Sequence, residues 1–140
     1  MKLKQLVYVS SYVDEYGLDL PNFMESISLT YKSDDVRMMT LFSKGEIMLL
    51  LEGPDIAVQH AFEKLQRDVK QITVTVLIDK QIETRQLTKT CMGYNTSSWL
   101  LISNPPATVG LFRLNHSSVY KQIMEGPANV LMVQFARDCH

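Results

Sequence analysis

Residues 45–53, with the sequence GEIMLLLEG, decide the fold of this 140-residue chain. Their centre, residues 47–51, is an unbroken apolar run, and a glycine lies at each end of the stretch. Such a run is too short for a typical helix, and it predicts a strand that is buried on both faces. A strand covered on both sides lies inside a sheet, so the rest of a small domain must be arranged around it.

The segments before and after this stretch carry strand and helix patterns in turn. Apolar alternation predicts strands at residues 3–10, 36–42 and 72–78, a turn at 79–80 and a weaker strand within 81–92. A turn at residues 43–45 predicts a hairpin between the second and third strands. Apolar residues at helical spacing predict helices at 21–31, 55–69, 108–124 and 128–137. Arg37 within the second strand is typical of an edge strand.

The order β-α-β-β-α-β-β followed by helices predicts a ferredoxin-like α+β sandwich with one additional strand. We expect the first two helices to cover one face of the sheet. The C-terminal helices would cover the other face, because the third strand is apolar on both sides. Residues 1–94 would then form the core, and residues 95–140 a helical cap of the same domain.

The composition argues against several classes of function. A net charge of −1 gives no electrostatic reason to expect a nucleic acid or a membrane as partner. No apolar run approaches the ~20 residues that span a bilayer, and no signal-peptide pattern is present. Two isolated cysteines, Cys91 and Cys139, predict a reduced, cytoplasmic protein, with Cys91 as a buried, inert thiol.

Catalytic patterns are missing from the sequence as well. The three histidines lack the spacing of metal ligands. The sequence carries no recognisable nucleophile–base pair and no glycine-rich phosphate loop, so we expect a protein that is not an enzyme.

Four blocks of residues, taken in order, resemble the BLUF domains, which are sensors of blue light using FAD. Residues 6–10, LVYVS, resemble the opening strand of that family, and residues 43–54, SKGEIMLLLEGP, resemble its third strand. Val58 and residues 65–68, LQRD, resemble its second helix. Arg85 and the dipeptide Met92-Gly93 resemble its final strand. The resemblance covers residues 3–94, and it implies the ferredoxin-like fold and a role in signal transduction.

The resemblance implies a flavin ring that lies between the first two helices, against one face of the sheet. The light chemistry of the family rests on a Tyr in the first strand and a Gln in the third, and an Asn at the end of the first helix fixes the ring edge. Tyr8 stands at the position of the Tyr, Leu49 at that of the Gln and Tyr31 at that of the Asn. The candidate cofactor-binding residues that the resemblance implies are Tyr8, Tyr31, Arg37, Leu49, Lys64, Asp68 and Met92.

Several of these residues differ from the family pattern. Leu49 has neither a donor nor an acceptor, so it cannot switch a hydrogen bond to a flavin carbonyl. Tyr31 and Met38 stand where the family has the smaller Asn and Gly, and they would fill the slot of the ring. Arg37 stands at a Thr and Thr90 at a Trp, whereas Asp68 and Met92 match the family. Lys64 stands where an Arg often lies near the ribityl or phosphate end.

The sequence therefore predicts a BLUF-like signalling module without standard Tyr–Gln photochemistry. It would act through contacts with a separate effector protein and form a homo-oligomer, with no bound cofactor, or FAD if any. Two alternatives remain open at this point. One is a blue-light photoreceptor that binds FAD through altered contacts. The other is a sensor of a different small ligand in a cleft lined by Tyr8, Tyr31, Arg37 and Lys64.

Overall fold

The structure is a computed structural model that describes residues 2–11, 35–43, 46–68, 73–94 and 110–138. Within these ranges the strands are β1 (Leu3–Ser11), β2 (Arg37–Ser43), β3 (Glu46–Pro54), β4 (Thr73–Ile82), β5 (Cys91–Tyr94) and β6 (Gly110–Arg113). The helices are α1 (Asp55–Asp68), α2 (His116–Gln122) and α3 (Pro127–Asp138). The helix predicted at residues 21–31 lies outside the described ranges.

The strand that decides the fold is β3, and it lies inside the sheet. The strand order is β4-β1-β3-β2-β5-β6, and β3 pairs antiparallel with both β1 and β2. Side chains from Ile47 to Glu52 are buried. The predicted hairpin between β2 and β3 is confirmed by the pairing of Ser43 with Glu46. The fold is the expected ferredoxin-like α+β sandwich.

Each face of the sheet carries its own apolar cluster. One cluster packs against α1 and defines what we term the α1 face; its buried members are Leu6, Tyr8, Val36, Met38, Phe42, Ile47, Leu49, Leu51, Val58, Ala61, Leu65 and Met92. The opposite side, which we term the cap face, packs against α2 and α3; its buried members are Val7, Met39, Leu41, Met48, Leu50, Leu87, Cys91, Val119, Ile123, Ala128, Met132, Phe135 and Ala136. The expectation that the C-terminal helices cover the second face is confirmed.

The prediction that β2 is an edge strand is wrong. β5 pairs in parallel with β2 from Met39 to Phe42, so β2 lies between β3 and β5. Arg37 is the first residue of β2 and precedes that pairing. Its Nη1 donates a hydrogen bond to the carbonyl oxygen of Leu87 at 2.9 Å. A charged side chain is therefore compatible with an internal strand here, because it leaves the sheet at the strand end.

β4 is longer than predicted, and its alternation is broken. The strand continues to Ile82, so the turn predicted at residues 79–80 is wrong. The pairing with β1 shifts register between Val7, opposite Ile78, and Tyr8, opposite Val76, which leaves Leu77 as the additional residue of a β-bulge. The bulge explains why Val74 packs on the α1 face and Ile78 on the cap face.

The helix predicted at residues 108–124 is wrong in its first part. Residues 110–113 form β6, which pairs in parallel with β5. The helix begins only after Asn115, whose Oδ1 accepts a hydrogen bond from the Ser118 amide at 2.9 Å and caps α2. The helix predicted at 128–137 is confirmed as α3.

Candidate functional site

A row of four buried residues crosses the middle of the sheet. Tyr8 on β1 lies opposite Leu49 on β3, Leu49 lies opposite Thr40 on β2, and Thr40 is in register with Met92 on β5. Tyr8, Leu49 and Met92 belong to the cluster on the α1 face. Thr40 lies on that face too, because its neighbours two positions away, Met38 and Phe42, belong to the same cluster. The structure thus brings together three of the residues predicted from the sequence.

Tyr8 is held against α1 by an aromatic contact. Its ring meets the ring of Phe62 edge-to-face, with centroids 4.9 Å apart and an interplanar angle of 63°. Edge-to-face pairs contribute about 0.5–1.5 kcal/mol beyond the area they bury. Tyr8 is fully buried, so its ring orientation is fixed by the sheet below it and by α1 above it.

Leu49 and Met38 have the packed, apolar surroundings that the sequence predicts. Both side chains are 0% exposed and belong to the α1-face cluster with Val58, Ala61 and other apolar residues. Leu49 lies between Tyr8 and Thr40 in the row, at the position where a Gln would form hydrogen bonds. Its side chain offers none of them.

Two buried hydroxyl groups on this face were missed from the sequence. The Oγ1 of Thr40, 1% exposed, and the Oγ of Ser10, 4% exposed, lack hydrogen-bond partners within the described part of the chain. Leaving a buried donor unpaired costs about 1–3 kcal/mol. The available signal in the sequence was a hydroxyl residue inside the apolar run of residues 38–42. Such a polar atom marks a place where the interior is not purely a packing surface.

Ser10 lines a cavity, whereas Thr40 is not among the residues that line it. Ser10 borders a cavity of about 210 Å³ at the end of β1, together with residues that include Glu46, Thr73 and Phe135. A cavity of this size is large enough for water, which can hydrogen-bond to the Ser10 hydroxyl. Thr40 lies farther inside the sheet, so its hydroxyl is the stronger indication of a missing partner.

The remaining candidate residues do not join the row. Arg37 lies on the cap face, because it alternates with Met39 and Leu41 and bonds to Leu87. The prediction of one cleft lined by both Arg37 and Tyr8 is therefore wrong, because the two residues lie on opposite faces of the sheet. Lys64 is half-buried on α1 and has no ion-pair partner among the described residues. Tyr31 and the side chain of Asp68 lie outside the described part of the structure.

Thr90, at the place of the family's Trp, has a structural contact. Its Oγ1 accepts a hydrogen bond from the Met38 amide at 3.2 Å, and Thr90 is buried. The bond extends the contact between β2 and the chain just before β5. The Thr90 hydroxyl is thus occupied by the backbone, unlike that of Thr40.

A buried carboxylate forms the polar centre of the cap face. Glu52 is 0% exposed, and its oxygens accept hydrogen bonds from Gln5 Nε2 at 2.7 Å, from the Gln86 amide at 3.0 Å and from the Leu87 amide at 2.7 Å. The next residue of this segment, Thr88, donates a hydrogen bond from its amide to the Gln122 carbonyl at 3.0 Å. Glu52 therefore ties β3, three residues from Leu49, to the segment that contacts the end of α2.

The described residues provide no group poised for catalysis or metal binding. Burial raises the pKa of the Cys91 thiol from 9.0 to about 12, so the thiol stays protonated and unreactive, as expected. Within the described ranges, no three acidic, His or Cys side chains come together as a metal site would need. Of the helices in the part that can be described, none is long and apolar enough to cross a membrane.

The family comparison agrees with this geometry. A family model described as BLUF, sensors of blue-light using FAD, matches residues 3–93. The chain belongs to the BLUF family. No curated protein sequence matches it. As a member of this family the chain is a sensory signalling domain, and the match includes Tyr8, Thr40, Leu49 and Met92.

Solved structures share the fold at low sequence identity. BlrP1 of Klebsiella pneumoniae, solved with FMN and cyclic diGMP, superposes with a TM-score of 0.71 at 17% identity, over 97% of this chain and 35% of that one. A structure titled BlrP1 BLUF gives a TM-score of 0.65 at 17% identity, over 96% of this chain and 87% of that one. BlsA in its photo-activated state gives 0.53 at 21% identity, over 71% and 76%. This chain therefore spans about a third of the length of the larger BlrP1 protein.

The residues of the α1 face fit a flavin ring in one respect and not in another. FAD supplies the family's blue-light absorption when it is bound. The unpartnered Thr40 hydroxyl provides a hydrogen-bonding group beside Tyr8 that could meet the polar edge of a ring. Leu49, in contrast, cannot form the Gln hydrogen bonds of the family switch. Position 49 therefore lacks the hydrogen-bonding group of the family switch.

Proposed function

We propose that this BLUF domain is a signalling module that works without Tyr–Gln photochemistry. The single observation that supports the proposal is Leu49, fully buried and directly opposite Tyr8. A light-driven exchange of hydrogen bonds needs a side chain at this place that both donates and accepts, and a leucine does neither. Tyr8 supplies the phenol of the family pair and packs against Phe62. Position 49, however, offers no side-chain amide with which this phenol could exchange hydrogen bonds.

The output of this module is a protein–protein contact in the cytoplasm. The outer surface of α2 and α3, with the residues that follow α2, supports this part of the proposal. Tyr120 on α2, Met124 just after it and Val130 on α3 are 48%, 59% and 65% exposed, so this region carries three of the exposed large apolar side chains among the described residues. Such a surface suits a separate effector protein or a second copy of the chain, as in a homo-oligomer. Replacing Val130 and Met124 by Ser should reduce the mass measured by light scattering if the contact is between copies.

The likeness to larger light-regulated proteins supports a link to an effector. Besides BlrP1, a bacterial light-regulated adenylyl cyclase superposes with a TM-score of 0.54 at 16% identity, and this chain covers 34% of it. In this proposal the present chain influences a partner of that general kind through the outer surface of α2 and α3. Glu52 supplies a route, because it bonds the segment that contacts the end of α2.

The proposal is tested by the absorption spectrum under blue light. The purified protein is incubated with excess FAD, freed of unbound flavin and measured before and during illumination. We expect no reversible red shift of the flavin band, whether or not flavin is retained. A red shift that decays in the dark would overturn the proposal, because it would show a light-driven change of hydrogen bonding without a Gln at position 49.

A further inference from the structure

Thr40 is a buried polar side chain whose hydroxyl has no role among the described residues. Its hydroxyl is 1% exposed, unpartnered within the described residues and next to Leu49 in the row that begins with Tyr8. Side chains opposite each other on neighbouring strands have Cβ atoms about 4.5–5.5 Å apart. The Thr40 hydroxyl therefore lies close to where the polar group of a longer side chain at position 49 would lie.

A purely structural role does not account for this hydroxyl. Valine has the same shape and a higher strand propensity, and it would avoid the penalty of burying an unpaired hydroxyl. Thr90, which is also buried, shows the usual solution, because its Oγ1 accepts a bond from the Met38 amide at 3.2 Å. The Thr40 hydroxyl has the character of a group whose partner is a bound molecule.

We propose that Thr40 donates the hydrogen bond to the polar edge of a bound flavin that Leu49 cannot supply. The ring would lie on the α1 face, where Tyr8, Leu49 and Met92 provide an apolar and aromatic surface beside the hydroxyl. This inference rests on the proposed function in one respect, namely that position 49 takes no part in hydrogen bonding. It departs from the expectation of a face without a cofactor, and it assigns binding rather than a light switch to this site.

The ligand chemistry follows from the residues on the face. One hydroxyl beside a wide apolar surface favours a flat, aromatic molecule that has a carbonyl or ring nitrogen at one edge. The isoalloxazine ring of FAD has this form, and FAD is the flavin of the family. Riboflavin, FMN and FAD share the ring, so a contact at Thr40 must affect all three in the same proportion.

The test compares three variants of the full chain by titration with FAD. Thr40→Val removes only the hydroxyl, Thr40→Ser keeps it, and Thr90→Val removes a hydroxyl that is already bonded to the backbone. We expect Thr40→Val to weaken FAD binding about tenfold, the effect of losing a hydrogen bond of roughly 1.4 kcal/mol. Thr40→Ser should retain most of the affinity, and riboflavin should show the same ratios as FAD.

Two further measurements separate a ligand contact from a packing effect. Without flavin, Thr40→Val should unfold at a higher urea concentration than the wild type, since it removes an unpaired hydroxyl, whereas Thr90→Val should unfold at a lower one. With flavin, the infrared carbonyl band should move to higher frequency in Thr40→Val only. Wild-type protein that takes up no flavin, or a Thr40→Val variant with unchanged affinity and carbonyl band, overturns the inference. Neither result produces a red shift, which is the result that would overturn the proposed function, so the two failures remain distinguishable.

Discussion

Tyr8 on β1 and Leu49 on β3 lie directly opposite each other, and both are fully buried on the α1 face. Thr40 lies on the other side of Leu49, so the row has hydroxyl groups at both flanks of an apolar side chain. A polar side chain introduced at position 49 would therefore have potential partners on both neighbouring strands.

This arrangement predicts the stability of Leu49→Gln. A buried amide without partners costs about 1–3 kcal/mol, but here the amide can bond to the Thr40 hydroxyl. Leu49→Gln should lower the free energy of unfolding less in the wild type than in the Thr40→Val background, by about 0.5–1.5 kcal/mol. Urea unfolding of the four proteins of this double-mutant cycle measures the coupling. Additive effects of the two substitutions would show that the two side chains do not meet.

Glu52 is expected to be the most sensitive polar position among those described on the cap face. Glu52→Ala leaves the amides of Gln86 and Leu87 without their acceptor and removes one of the two acceptors of Gln5 Nε2, so the free energy of unfolding should fall by about 3 kcal/mol or more. Glu46→Ala on the same strand is the matched control, because Glu46 is exposed and its loss should change stability by less than about 0.5 kcal/mol. Equal effects of the two substitutions in urea unfolding would contradict the role assigned to Glu52.

Hydrogen exchange should locate the effect of Glu52→Ala. The Leu87 amide bonds directly to Glu52, and the Met124 amide bonds to the Gln86 carbonyl at 2.9 Å. Both amides should exchange faster in the variant, while amides in the β1–β3 pairing stay protected. Faster exchange throughout the sheet would mean that Glu52 supports the fold as a whole rather than the contact with the cap.

The Cys91 thiol predicts a loss of stability at alkaline pH. Burial raises its pKa in the folded state to about 12, against an ordinary value of 9.0, so the folded protein retains the proton where the unfolded chain releases it. The contribution to stability is complete below about pH 9 and is lost as the pH rises through 12. At pH 10 the loss is on the order of 1 kcal/mol. Cys91→Ala should show a smaller decrease in the free energy of unfolding between pH 8 and pH 10, and an equal decrease would contradict the assignment.

Lys64 gives a prediction that separates the two ends of a flavin cofactor. The side chain is half-buried on α1 without an ion-pair partner among the described residues, and the family resemblance places it near the ribityl or phosphate end. Lys64→Gln should weaken the binding of FAD several-fold and leave that of riboflavin unchanged, since riboflavin has no phosphate. Lys121→Gln, on the exposed surface of α2, is the control for the loss of a positive charge. Titration followed by flavin fluorescence measures both, and equal weakening of FAD and riboflavin would contradict a phosphate contact.

Much of the fold was predictable because the decisive signals are local. The apolar run in β3 and the spacing of Val58, Ala61 and Leu65 on α1 depend on residues close in sequence, and both predictions are confirmed. The edge assignment of β2 failed because a charge is tolerated wherever it can leave the sheet, and Arg37 does so through the carbonyl of Leu87. That contact spans 50 residues and has no local signature.

Other features depended on pairings that the sequence does not display. The bulge at Leu77 is set by the register of β4 against β1, so a regular alternation of valines and isoleucines concealed a change of face. β6 has four residues and is stabilised by its parallel neighbour β5 rather than by its own propensity. The site showed the same pattern: Tyr8, Leu49 and Met92 were identified by position, whereas Thr40 became visible only when its burial and missing partner were known.

The central claim is that Leu49 removes the light-driven exchange of hydrogen bonds, and illumination of wild-type and Leu49→Gln protein side by side tests it most directly. Both proteins are loaded with FAD and followed by absorption through one cycle of blue light and darkness, with Leu49→Gln/Tyr8→Phe as control. We predict no reversible red shift in the wild type, a red shift in Leu49→Gln because a Gln again faces Tyr8, and its loss in the control. A reversible red shift in the wild type, equal to that of Leu49→Gln, would contradict the account.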